Sequence, residues 1–137
     1  MSVIFCTAFL ALSYYALTVL PNRITRRKLV TTLILLFVVL IVVPNLVEPS
    51  HGITDYPLLN SALISLQIIF LLSIGSQMSY AMVDAQKKYH IKHNSSNLDR
   101  TPIRQLMKYH EQIKKAFTWG WFASSIVVLG GIWINTK

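Results

Sequence analysis

At 137 residues, 53% hydrophobic and 13% charged, with a mean hydropathy of +0.50, the chain lies far from the roughly 25% charged residues of a soluble domain and is one small integral membrane unit. A net charge of +8 would suit a nucleic-acid binder, but the charge is confined to short segments in which Tyr89 and Tyr109 are the only aromatic partners for bases, so nucleic acid is not an expected partner. A single cysteine, Cys6, excludes an internal disulfide and any Cys-rich zinc or iron–sulfur centre.

The predicted fold is all-α: an integral membrane bundle of four transmembrane helices, 2–20, 29–47, 57–83 and 116–134, with a cytoplasmic amphipathic helix at about 102–115 leading into the fourth. The first run is long enough to cross a bilayer. No charge precedes Arg23, so a retained span rather than a signal peptide is expected. Pro21 and Asn22 end it, and Arg23, Arg26, Arg27 and Lys28 follow. Within the second run, Pro44 removes a backbone donor, which predicts a kink or an early stop.

The link that follows, EPSHGITDY, holds Glu48, His51 and Asp55 and no Lys or Arg. Two carboxylates and an imidazole on so short a segment are the candidate ligands for a metal shared with a partner subunit. The plainer alternative is a solvated turn.

The third run is the most polar. Asn60 and Gln67 are seven residues apart and share a helical face; Ser73 and Gln77 are an i, i+4 pair; Gly75 and Ser79 make a small-xxx-small pair. In hydrocarbon such groups face other helices, which makes this span the expected packing hub. The same face could instead line an uncharged path.

Residues 84–115 form the long polar stretch. Its first part, 84–98, lacks apolar periodicity and is expected to be a loop or a frayed helix end. Thr101 as N-cap and Pro102 at the first position then start a helix. On it, Ile103, Leu106, Met107, His110 and Ile113 form a stripe, with Arg104, Lys108, Glu111 and Lys115 opposite. The stripe and the basic residues Arg104 and Lys108 are the expected docking surface for a partner or for anionic lipid. No Gly or Pro interrupts 103–118, so this helix is expected to run on into the last span. Trp119, Trp121 and Trp133 fit the two aromatic belts of that span.

Twelve of the thirteen Lys and Arg fall in the 21–28 and 84–115 segments. With four spans both segments lie on one side, which the positive-inside rule makes the cytoplasm, leaving both termini and the 48–56 link outside a cell membrane. No histidine lies inside a span, which leaves no bis-His haem site, and no ionisable acid or base lies there either, against ion-coupled transport. His90, His93 and His110 could meet on the cytoplasmic side, though solvated histidines are the commoner outcome. There is no P-loop, GxGxxG or HExxH. No catalytic residue and no resident cofactor are expected beyond bound lipid. The expected role is a small accessory or structural subunit of a larger membrane complex of the energy-converting or oxidoreductase kind, its partners other integral membrane subunits and anionic lipids. The alternative is a small oligomeric channel or carrier using the polar face of the third span.

Overall fold

The computed structural model describes residues 2–47 and 57–136, with backbone only at 2, 43 and 45–47. Regular structure among these residues is entirely helical. The candidate metal ligands Glu48, His51 and Asp55 lie outside the described residues.

Helix α1 (Ser2–Tyr14) passes through a π-helical turn (Tyr15–Val19) into α2 (Leu20–Arg23), forming one rod. Pro21 is the physical cause of the wide turn. Its ring would press on the Leu17 carbonyl in a regular α-helix and it has no N–H to donate. Side chains take up carbonyls along this rod: Thr18 Oγ1 donates to Tyr14 O at 2.6 Å, and Asn22 Nδ2 donates to Thr18 O at 2.8 Å. Ile24 then turns extended and ends the rod.

Helix α3 (Arg26–Val47) continues through Pro44 rather than stopping there. Proline at 44 leaves the Leu40 carbonyl, four residues earlier, without its helical donor. Gln67 on the next helix supplies one: its Nε2 donates to Leu40 O at 3.3 Å.

Helices α4 (Pro57–His93, 37 residues) and α5 (Ile103–Asn135, 33 residues) are roughly 55 and 50 Å long, well beyond a hydrocarbon core of about 30 Å. The surplus lies at the basic end. Residues 84–93, expected as a loop or a frayed helix end, prolong α4 as regular helix, and the amphipathic segment from Ile103 is continuous with the last span. The two extensions form a hairpin closed by a 3₁₀ turn at Ser95–Asn97. The residue before α5 is Pro102, with no side-chain cap bond, so Thr101 is not used as the predicted N-cap.

Three helices are long and apolar enough to cross a membrane: Val3–Arg23, Pro57–His93 and Ile103–Asn135. Among the described residues α3, which carries the predicted 29–47 span, is not one of them. The chain is thus an all-α protein with three candidate spans and a fourth long helix.

The packing is antiparallel for α3 on α4, α4 on α5 and α1 on α5, while the α1 rod lies parallel to α4 where Ala16 meets Ile69. Ion pairs and hydrogen bonds link Asp84 to His110, Ser79 to Trp121, Ser65 to Trp133 and Ser61 to Thr136, so partners advance on α5 as they retreat on α4. Phe5 and Phe9 stack on Trp133 while Tyr14 meets Phe122, which sets α1 antiparallel to α5. Arg26–Asp84 and Leu40–Gln67 do the same for α3 and α4. The buried set holds about as many polar side chains as apolar ones, among them Ser13, Ser65, Ser76 and Ser125 at 0% exposure, while Leu35, Val39, Leu71 and Val127 face outward. Small polar residues inside and aliphatic ones outside is the pattern of helices packed in lipid.

Candidate functional site

The serines of α4 donate mostly to their own helix, Ser65 to Ser61 O, Ser73 to Ile69 O and Ser79 to Gly75 O, at 2.7 to 3.0 Å. Their oxygens remain free to accept from α5, and two tryptophans use them. Trp133 Nε1 donates to Ser65 Oγ at 3.0 Å and Trp121 Nε1 to Ser79 Oγ at 3.2 Å. Gly75 makes room for the second: a Cβ there would lie 2.8 Å from the Trp121 ring. Tyr80 and Thr118 share a hydrogen bond one turn nearer the basic end.

Beyond that pair the chemistry changes from hydroxyls to charges. Asp84, the first residue after the apolar part of α4, gathers two cations and an imidazole from two other helices. Arg26 of α3 pairs with its Oδ2; Lys114 Nζ and His110 Nε2 of α5 lie 2.7 and 2.9 Å from its Oδ1. The other imidazole nitrogen, Nδ1, is 3.0 Å from Glu111 Oε1, and Lys114 Nζ is 3.5 Å from the same carboxylate. Burial by itself pushes the Asp84 carboxyl up, but the hydrogen bonds and charges of Lys114 and Arg26 outweigh it and hold the group well below the usual carboxylate range. One carboxylate therefore clamps α3, α4 and α5 together at their basic ends.

This clamp forms one wall of a cavity of about 710 Å³. The α1–α2 rod contributes Tyr14, Leu17 and Pro21 interspersed with Thr18 and Asn22; α5 contributes Trp119, Lys115 and Lys114; α4 contributes Gln77 and Tyr80. Gln77 is 3% exposed, and among the described residues its amide hydrogen-bonds to no protein group. Arg26 and Glu111 complete the charged rim. Chemically the cavity offers cations and an amide together with aliphatic and aromatic side chains interspersed with hydroxyls, with no nucleophile and base in contact.

The polar residues predicted along α4 separate into different places. Asn60 and Gln67 line a cleft of about 280 Å³ against Leu40 and Pro44 of α3, whereas Gln77 lines the larger cavity at the basic end. Ser73 is buried and bonded within its own helix. Gly75 and Ser79 both seat Trp121. On α5 the predicted stripe is half-buried at Ile103, Leu106, Met107 and Ile113, and His110 is fully buried on Asp84. Arg104 and Lys108 are exposed, the latter's Nζ 5.2 Å from the centre of the Tyr109 ring. His90 pairs with Asn94 at 3.2 Å, well apart from His110. Among the described residues no three metal-ligating side chains converge, since the His110 ring separates Asp84 from Glu111.

Sequence reasoning used Asp84 only as a boundary and overlooked Arg26 and Lys114 as its partners. The available signal was an acid standing at the edge of an apolar run in a chain with five acids and thirteen cations. No family model, curated protein or solved structure matches this chain.

Proposed function

We propose that the chain is a four-span accessory subunit of a larger membrane complex, of the energy-converting or oxidoreductase kind, with the hairpin of α4 and α5 docking a partner. The observation that carries this reading is the hairpin surface. Tyr89, Ile91 and Tyr109 are exposed on segments that lie beyond the apolar spans, amid Lys87, Lys88, Lys92 and Lys108. Aromatic and aliphatic side chains held out of both lipid and core favour contact with another subunit, and the lysines favour an acidic one. The aliphatic outer faces of α3 and α5 suit neighbouring transmembrane helices or lipid.

Support for the fourth crossing comes from register. From Arg26 opposite Asp84 to Leu40 opposite Gln67, α3 runs beside α4 for roughly 21 Å at 1.5 Å per residue, and its outer residues Ile34, Leu35, Val38 and Val39 are aliphatic. With four crossings both basic connections face the cytoplasm and both termini the outside. Four such helices, with α3 and α5 antiparallel to α4 and α1 antiparallel to α5, suit a scaffold.

Isolation from native membranes in gentle detergent is the test. The chain is expected to co-migrate with larger membrane subunits, and the combined Tyr89→Ser, Ile91→Ser and Tyr109→Ser variant is expected to remain folded yet separate from them. A monodisperse chain with transport or catalytic activity of its own would overturn the proposal.

A further inference from the structure

The cavity beside the Asp84 clamp has no part in holding the bundle together, and its mixed lining resembles the chemistry of a lipid's interfacial region. It sits where the apolar spans give way to charge, with Tyr14 and Trp119 at its edge, side chains that favour the headgroup level of a membrane. Arg26 and Lys114 are fixed in place by Asp84 but keep unused donors, because a guanidinium has five N–H groups and an ammonium three. Lys115 makes no ion pair among the described residues. Glu111, the one acid in the lining, is already engaged by His110 and Lys114. Deeper in, Gln77 lines the cavity, and among the described residues its amide makes no hydrogen bond to protein. The α1–α2 rod and the turn after it supply aliphatic groups, Leu17, Pro21 and Ile24, interspersed with Thr18, Asn22 and Thr25.

We propose that this cavity holds the headgroup of one anionic phospholipid, its phosphate among Arg26, Lys114 and Lys115, its glycerol against Gln77, and the start of its chains along Leu17 and Pro21. The bound chemistry is a phosphate diester carried on a membrane amphiphile. A free phosphate would satisfy the cations and leave the aliphatic groups wet. The site is separate from the exposed hairpin face, and it requires membrane insertion but not the accessory role, so failure of co-isolation would leave it standing.

The test is native mass spectrometry of the purified full chain titrated with phosphatidylglycerol, phosphatidylcholine or inorganic phosphate. One phosphatidylglycerol is expected to bind per chain in preference to phosphatidylcholine, with inorganic phosphate neither binding nor competing. Lys115→Gln is expected to weaken phosphatidylglycerol about fivefold, the usual effect of one cation near anionic lipid, while leaving phosphatidylcholine unchanged. Lys115 holds no internal ion pair, so the fold should survive; Lys108→Gln, on the hairpin, should alter nothing. Equal retention of the two lipids, an unaltered Lys115→Gln, or an equal loss in Lys108→Gln would each overturn the site. Competition by inorganic phosphate would overturn the lipid as its occupant.

Discussion

Replacing Gln67 by Leu removes the donor that Pro44 obliges the neighbouring helix to supply. In the native chain Leu40 O accepts from Gln67 Nε2 at 3.3 Å, a bond at the long end of the usual range and only partly buried. Hydrogen bonds between membrane helices average about 0.6 kcal/mol and reach about 1.7 kcal/mol, so a loss of about 1 kcal/mol is expected for Gln67→Leu. The informative measurement is the same substitution in a Pro44→Ala background. Alanine restores an N–H at position 44 that reaches Leu40 O within α3, so the carbonyl no longer depends on α4 and Gln67→Leu should cost close to nothing. Reversible unfolding of the purified chain in mixed micelles, run as a double-mutant cycle, should then give a coupling of about 1 kcal/mol between residues 27 positions apart. Equal costs in the two backgrounds would refute the reasoning and return Gln67 to the role of a path-lining residue.

Asp84→Asn removes the clamp's charge with little change of shape. The half-buried Lys114 pair supplies most of the expected loss; Arg26, 38% exposed, adds the small contribution of a screened pair, for a total of about 2 kcal/mol in the same unfolding assay. The carboxylate also sets an acid limit. Because its folded value lies below the ordinary 3.8, its contribution is complete above that pH and declines as pH falls through and below it, so stability should drop more steeply under about pH 4 in the native chain than in Asp84→Asn. Gly75→Ala should cost about 1 to 2 kcal/mol by displacing a Trp121 ring anchored on Ser79, whereas Gly120→Ala, with nothing within 4 Å, should be neutral or slightly stabilising on thermal denaturation.

Long apolar runs and helical spacing were enough to place α1, α4 and α5, because those signals are local. Residues 84–93 lack apolar periodicity and left loop and helix end equally open; a helix already nucleated in the span needs none, and propagates cheaply through Ala85, Gln86, Lys87 and Lys88. His110 fell on the apolar stripe by spacing alone, and only the position of Asp84 on another helix reveals why it turns inward. The same holds for Gln67, whose partner is created by a proline on α3, and for Gly75, whose small size is legible but whose Trp121 neighbour is not. The cavity draws on every long helix and has no local signature at all.

The crossing number underlies the account most directly, because the four crossings proposed would put both basic connections and the clamp on one side of the membrane. In a Cys6→Ser background, single cysteines at Ser2, Ser95 and Thr136 can be probed on intact cells with a membrane-impermeant maleimide. Ser2→Cys and Thr136→Cys should both react from outside, and Ser95→Cys only after permeabilisation. Labelling that puts residues 2 and 136 on opposite sides would mean an odd number of crossings and would contradict it.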